Sequence, residues 1–184
     1  MIDYSLIIDR YVSHFWKDDI SDCLMKQLHN HEHIIDRKNM NGHIVCSPFV
    51  FNSDFSKLLC IYHKARSKRQ QPGGHIDDMM YHPFVHGLRE LKEETGLDIV
   101  RLHDRHLSHD LCPIRIETQE ISARIDKNEW EHLHYDIEFV CIAQESLLSA
   151  SDDDEIDNVC RIPIDELSEE MRDRVNIIKK RLHT

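Results

Sequence analysis

A glutamate-rich segment that follows a glycine turn constrains this chain more than any other part of its sequence. Residues 89–97 read Arg-Glu-Leu-Lys-Glu-Glu-Thr-Gly-Leu, and Pro72-Gly73-Gly74 precedes them. Pro83 suits the first turn of a helix, and Gly96 suits the position just past a helix end. Apolar residues between them recur at helical spacing, so we expect one face to meet the core. The sequence therefore predicts a helix that begins at Pro83 and ends at Gly96.

Three glutamates of this helix lie on one side of it. At 3.6 residues per turn, Glu93 and Glu94 follow Glu90 by one turn, displaced by about 60° one way and about 40° the other. Mutual repulsion and the helix dipole make this arrangement unfavourable by about a few tenths of a kcal/mol for each effect. A bound hard cation such as Mg²⁺ would offset that repulsion. The alternative is a solvated acidic face on which Arg89 pairs with Glu93.

The stretch from Gly73 to Leu97 resembles the signature of the Nudix hydrolases, in which a glycine turn, a loop and a helix follow one another. All the residues from 89 to 97 satisfy the helical half of that pattern. The resemblance implies an α/β fold, an α/β/α sandwich with a mixed sheet. It also implies catalysis by Arg89, Glu90, Glu93 and Glu94, and binding of Mg²⁺, with Mn²⁺ as an alternative, by the three glutamates and the backbone carbonyl of Gly73.

The loop before the helix departs from the family pattern. It holds fourteen residues, from 75 to 88, which is one more than the family has. The position of the family's loop glutamate falls on Met80 or Tyr81, according to the end from which it is counted. Asp77 or Asp78 could supply the missing carboxylate. Gly87, inside the helix, indicates close packing against the sheet.

Other polar residues are candidates for the same site. Lys64 and Arg66, in a basic cluster just before the glycine turn, are candidates to bind substrate phosphate, with Arg66 the stronger one. The alternative is a solvated hairpin end. Further along, His132, His134, Asp136 and Glu138 alternate on one face of a predicted strand. Asp136 or Glu138 could be an additional acid, His-x-His-x-Asp could form a separate transition-metal site, and the alternative is a solvent-facing strand. Glu155, in an acidic stretch, competes for the role of the additional acid.

The remaining pattern predicts two helices in residues 1–40, which form a cap, and a catalytic core in residues 42–184. Strands are expected at 43–51, 57–63, 99–102, 114–123 and 133–142, a short strand or turn at 71–76, an acidic loop at 151–158 and helices at 165–184. With 184 residues, the chain suits a single domain.

Composition narrows the choice of partners. A formal charge of −11 argues against general binding to nucleic acid or to anionic membranes. The first residues do not read as a signal peptide, no apolar run reaches membrane-spanning length, and the six cysteines lack a Cys-x-x-Cys pair. We therefore expect a cytoplasmic protein with reduced thiols. The oligomeric state stays open, with a homodimer among the alternatives.

The first hypothesis is a metal-dependent pyrophosphohydrolase that cleaves a nucleoside diphosphate linked to another group. Pro113 stands sixteen residues past Leu97, a spacing that resembles the ADP-ribose-hydrolysing subset of the family. The second hypothesis, prompted by the altered loop, is a Nudix-fold module that binds a nucleotide or a protein without catalysis. An isomerase related to the isopentenyl-diphosphate enzymes is disfavoured, because no cysteine follows the glycine turn within the loop.

Overall fold

A curled mixed sheet forms the centre of the molecule. The computed structural model describes residues 2–15, 20–30, 32–125, 128–144 and 156–183, and within these ranges eight strands form one sheet. The strands are β1 (His43–Phe51), β2 (Lys57–His63), β3 (Lys68–Gln70), β4 (Gly74–His75), β5 (Arg101–Leu102), β6 (Arg115–Ile121), β7 (His132–Ile142) and β8 (Ile156–Pro163). The helices are α1 (Tyr4–His14), α2 (Asp22–His29), α3 (Pro83–Thr95), α4 (Asp104–Ser108) and α5 (Glu169–Leu182), with 3₁₀ turns at Lys64–Arg66 and Ile164–Glu166.

The parallel pair of β1 and β7 forms the centre of the sheet. These strands stay in register from His43 opposite His134 to Phe51 opposite Ile142. The first part of β7 pairs with β6 and its end pairs with β5, both antiparallel. The other edge of β1 pairs with β4 near its start and with β2 at its end, and β2 also carries β3 and β8. β7 is therefore an internal strand, with neighbours along both of its edges.

Helices lie on both faces of this sheet. Gly87 of α3 packs so close to Cys46 that an added Cβ would lie 2.8 Å from its Sγ, which confirms the close helix-to-sheet approach expected at Gly87. Arg174 of α5 stacks on Phe49, with 5.2 Å between the guanidinium carbon and the ring centroid. Cys46 and Phe49 are three residues apart on β1, so their side chains point to opposite faces. The predicted α/β fold with a mixed sheet and extra N-terminal helices is confirmed.

Most of the local predictions agree with the structure, and three regions differ. The strands predicted at 43–51 and 57–63 have those bounds, and the predicted helix spans Pro83–Thr95 with Gly96 at φ 69°. The acidic loop predicted at 151–158 is wrong from residue 156 onward, because β8 begins at Ile156 and pairs with β2 through Cys60 and Cys160. Neither β3 nor α4 was expected, since both are too short to produce a periodic pattern.

None of the helices in the described ranges has the length and apolar character that crossing a membrane requires. All six cysteines are free thiols, as expected.

Candidate active site

The helix α3 holds its glutamates at a fixed angle because both of its ends are capped. The ring of His82 accepts a hydrogen bond from the backbone N–H of Phe84, and Pro83 opens the first turn. At the other end, the left-handed Gly96 donates its N–H to the carbonyl of Lys92. Leu91 is fully buried on the inner face. The flank of α3 next to this face, which carries Glu90 and Glu94, meets the glycine turn.

Glu90 and Glu94 flank this turn. The backbone N–H of Gly73 donates to Oε2 of Glu94 at 2.9 Å. A Cβ on Gly74 would lie 2.4 Å from the carboxyl carbon of Glu90, and one on Gly73, where φ is 150°, would lie 2.5 Å from Oγ of Ser47. Any side chain at either glycine would fill this space. The two glycines thus let the backbone pass between the sheet and the two carboxylates.

Glu93 stands apart from the other two glutamates. Its side chain is 57% exposed, and its Oε2 accepts from Nη1 of Arg89 at 2.9 Å. The other arm of Arg89 lies 2.8 Å from Oε1 of Glu90. Burial raises the pKa of Glu90, and Arg89 opposes that rise. A poorly solvated carboxylate next to a second carboxylate fits a hard divalent cation, which prefers oxygen ligands.

Arg89 also reaches back into the loop. Its Nη2 lies 2.7 Å from Oδ2 of Asp77 and donates to the carbonyl of His75 at 3.2 Å. Asp78 instead accepts from the backbone N–H of Met80 at 2.7 Å. Of the two candidate replacements for the missing glutamate, Asp77 is the one that contacts the helix. The loop therefore keeps a carboxylate bound to Arg89 despite its altered length.

A cavity of about 970 Å³ opens beside these residues, between the glycine turn and the inner face of β1, β6 and β7. Its walls include Arg37, His43, Ser47, Arg66, Gln71, Gly74, Glu90, Glu94, His134 and Asp136. Arg66 lines the cavity and donates to Oε1 of Gln70 at 3.2 Å. Lys64 and Glu93 are not among the lining residues. The cavity has the size and the polar wall of a small-molecule site.

Asp136 lies on the floor of this cavity. It is 2% exposed, and its Oδ2 accepts hydrogen bonds from Ser47 at 2.9 Å and from the amides of Gln71 and Gln119, each at 3.3 Å. Its Oδ1 is buried without a hydrogen-bond partner. Burial and the neighbouring Glu138 raise the pKa of Asp136 to about 7, although Arg174 opposes this rise. A carboxyl group with this pKa can exchange a proton near neutral pH.

Glu138 is held differently. It is fully buried, and its Oε1 lies 3.0 Å from Nη1 of Arg115 and 2.5 Å from Nη2 of Arg174. Both guanidinium groups also contact Glu117, Arg174 at 3.0 Å. Glu138 therefore belongs to a buried ion-pair network that joins α5 to the sheet.

The solvent-facing alternative for the polar face of β7 is wrong, because all four of its polar residues are buried. Sequence reasoning missed Arg115, Glu117 and Arg174. A signal for two of them existed, since Arg115 and Glu117 alternate on β6 and lie opposite Glu138 and Asp136 in register. Glu155 lies outside the described residues.

Four histidines gather at the other end of the cavity: His43, His75, His132 and His134. The ring centroids of His43 and His134 are 4.7 Å apart, and those of His75 and His134 are 5.3 Å apart. Burial, together with the neighbouring His43, lowers the pKa of His134 to about 2 and that of His75 to about 4. Both rings are therefore neutral at pH 7. The sequence drew attention to His132 and His134, but only the strand pairing brings His43 and His75 to them.

Comparison with known proteins gives a match in structure alone. No family model matches the sequence, and no curated protein matches it. A NUDIX-family hydrolase from Clostridium perfringens superposes with a TM-score of 0.54 and 21% identity, covering 79% of this chain and 97% of that one. An Ap4A hydrolase from C. elegans gives a TM-score of 0.55 at 13% identity, covering 76% of this chain and 97% of that one.

A third solved structure is the NUDIX domain of Shewanella oneidensis NrtR in complex with ADP ribose. It superposes with a TM-score of 0.51 and 15% identity, covering 89% of this chain and 99% of that one. These superpositions establish a common fold, and identities this low show nothing beyond the fold.

Proposed function

We propose that this chain, which has the Nudix fold, is a divalent-metal-dependent pyrophosphohydrolase that cleaves a nucleoside diphosphate linked to another group. One observation carries the proposal. Glu90 and Glu94 flank the Gly73-Gly74 turn at the wall of a large polar cavity, and Gly73 donates its N–H to Glu94. The carboxyl group of Glu90 occupies the space that a Cβ on Gly74 would need, so both acids are held against the glycine turn.

The residues that would hold Mg²⁺ or Mn²⁺ are Glu90, Glu94, Glu93 and the carbonyl of Gly73. Such a cation would neutralise charge on the diphosphate and lower the pKa of a bound water. Glu93 would have to turn from its present partner, Arg89, to join the set. Arg89 contributes by position, because it ties Glu90 to Asp77 in the loop.

Two further groups complete the proposed site. Arg66 lines the cavity and would bind a substrate phosphate. Lys64 does not line the cavity and is the weaker candidate for this role. Asp136 is the best placed additional acid, since it lies on the cavity floor and one of its oxygens has no hydrogen-bond partner. Glu138 is less suited to that role because two arginines hold its carboxylate. Either Glu90 or Asp136 would accept the proton from the attacking water.

ADP-ribose-like compounds are the substrate class that we propose first. The cavity volume is large enough for a dinucleotide-sized ligand, and arginines and a lysine, Arg37, Arg66 and Lys68, line it for the phosphates. The NrtR domain, which shares the fold, binds ADP ribose in its crystal. A cytoplasmic location is part of the proposal, since the cysteines are free thiols.

The test is turnover of a panel of diphosphate-linked nucleotides, with ADP-ribose and diadenosine tetraphosphate among them, in Mg²⁺ and in Mn²⁺, with products identified by mass. We expect Glu90→Gln and Glu94→Gln each to lower kcat by at least about 100-fold, since each removes a charge that would meet the cation. The exposed Glu169→Gln, on α5, is the matched control. Binding of a nucleotide by the wild type without any turnover would replace the proposal with the non-catalytic binding module.

A further inference from the structure

We propose that His43, His75 and His134 form a second metal site, which takes a transition-metal ion such as Zn²⁺ and is separate from the carboxylate site on α3. One ring nitrogen of each histidine lies within 4.8 Å of a ring nitrogen of the other two. With a Zn–N bond of about 2.1 Å, ligand atoms of a tetrahedral site lie about 3.4 Å apart. Small side-chain rotations would therefore close the three rings around one ion.

Hydrogen-bonded strands hold these ligands. The parallel register of β1 and β7 sets His43 opposite His134, and the pairing of β4 with β1 sets His75 opposite Val45. Paired residues on neighbouring strands point to the same face of the sheet. The three rings thus come from three adjacent strands and meet over one face, and a site supported in this way is more rigid than one built on loops.

Hydrogen bonds to backbone carbonyls fix the orientation of two of the rings, as is common for histidines around metal ions. Nδ1 of His43 lies 3.3 Å from the carbonyl of Asn39, so that nitrogen donates and Nε2 keeps its lone pair. His43 is 1% exposed, and its Nε2 has no hydrogen-bond partner. His132 supports the cluster from the side, with Nδ1 at 2.7 Å from the carbonyl of Trp130 and Nε2 at 3.1 Å from Nε2 of His134. An ion in the cluster would satisfy the buried lone pair of His43.

The chemistry of the ligands selects the metal. Imidazole nitrogen suits zinc, copper, nickel and iron, whereas Mg²⁺ prefers oxygen. Three protein ligands leave one tetrahedral position for water or another small ligand. Since all three histidines line the cavity, that position would open into it.

The two sites lie at different levels of the same cavity. Gly73 packs against Ser47, and Ser47 is four residues beyond His43 on β1. At about 3.3 Å per residue, His43 and Ser47 are about 13 Å apart along the strand. His75 is nearer to the glycine turn, because it directly follows Gly74. One site is made of oxygen ligands from α3 and the glycine turn, and the other of nitrogen ligands from the sheet.

The experiment is titration of the metal-free full chain with Zn²⁺ by calorimetry, without Mg²⁺ or substrate, and with Co²⁺ by visible absorption. We expect one equivalent of Zn²⁺ to bind, and Co²⁺ to give the intense visible bands of a four-coordinate site. His75→Asn and His134→Asn should each weaken Zn²⁺ binding by at least about tenfold and abolish the Co²⁺ bands. His109→Asn, which changes a histidine outside the cluster, should bind as the wild type does. Circular dichroism establishes that each variant is folded, and the half-exposed His75 is the safer position.

Glu94→Gln separates this proposal from the proposed function. It should bind Zn²⁺ as the wild type does, even though it should lose turnover. The proposal is overturned if the wild type takes up no stoichiometric Zn²⁺, or if both histidine variants bind it within about twofold of the wild type. It is equally overturned if Glu94→Gln removes Zn²⁺ binding while the histidine variants keep it.

Discussion

Oδ2 of Asp77 lies 2.7 Å from Nη2 of Arg89, so a carboxylate from the loop contacts the helix that carries the glutamates. The same guanidinium binds Glu90, Glu93 and the carbonyl of His75. The loop from residue 75 to residue 88 thus places a carboxylate on the helix, although neither Met80 nor Tyr81 supplies one. The altered loop therefore does not by itself argue against catalysis.

Asp77→Ala should lower kcat by about tenfold to 100-fold, because Arg89 and Glu90 would lose their support from the loop. The melting temperature should change little, since the Asp77 side chain is 61% exposed and exposed ion pairs contribute at most about 1 kcal/mol. Asp78→Ala is the matched control and should keep wild-type turnover. Equal kcat for Asp77→Ala and the wild type would show that the contact has no role in the reaction.

Two glycine substitutions should separate activity from stability. Gly74→Ala places a methyl group 2.4 Å from the carboxyl carbon of Glu90, so Glu90 must move. We expect a loss of kcat of roughly 100-fold, the size that a displacement of about 1 Å can cause, while the fold persists. Gly87→Ala instead presses on the buried Sγ of Cys46 at 2.8 Å. It should lower the free energy of unfolding by about 1–2 kcal/mol, because overpacking exceeds the gain in helix propensity.

The measurements for this pair are kcat and urea denaturation on both proteins. The reverse result, with Gly87→Ala inactive but stable and Gly74→Ala active but unstable, would contradict the assignment of the two glycines.

Arg174→Leu should destabilise the fold by about 3–5 kcal/mol. The variant leaves the buried carboxylates of Glu138 and Asp136 with one cation fewer, and Arg174 itself is 7% exposed. Urea denaturation measures the loss, and Arg172→Ala, on the exposed side of the same helix, should stay within about 0.5 kcal/mol of the wild type. A loss for Arg174→Leu no larger than that of the control would mean that the network contributes little to stability.

Asp136 should give the protein a dependence of stability on pH that Asp136→Asn lacks. Burial and Glu138 raise the pKa of Asp136 to about 7 in the folded protein, against about 3.9 in an unfolded chain. Between about pH 4 and pH 7 the folded state therefore binds more protons at this residue, and its contribution to stability falls as the pH rises. The wild type should lose stability relative to Asp136→Asn from pH 5 to pH 8.

The measurement is urea denaturation of both proteins at the two pH values. The exposed Asp104→Asn should follow the wild type at both. Parallel behaviour of Asp136→Asn and the wild type would show that Asp136 is ionised throughout this range.

Local features of the chain could be read from the sequence, because each depends on neighbouring residues. Pro83 and Gly96 set the ends of α3, and the turn between residues 51 and 57 set the facing ends of β1 and β2. The choice between Asp77 and Asp78 could not be read, since it depends on how the loop returns to Arg89. The contact of Glu138 with Arg174 could not be predicted either, because only the tertiary fold brings α5 to β7.

The histidine cluster could be predicted only in part, because its members come from strands far apart in the sequence. A period of two along β7 places His132 and His134 with Asp136 and Glu138 on one face, and this part of the prediction agrees with the structure. Which other histidines meet them depends on β7 running parallel to β1, a pairing of segments about ninety residues apart. Neither His43 nor His75 carries a local signal for that contact.

One strand, β7, contributes residues to both of the proposed sites. His134 faces one of them, Asp136 faces the other, and a single residue lies between them. Deleting one residue in the middle of the strand would turn every side chain on one side of the deletion to the opposite face. No such change can remodel one end of the cavity and spare the pairing with β1 at the other. A one-residue shift within β7 would therefore disturb both ends of the cavity, whereas a substitution can change one end alone.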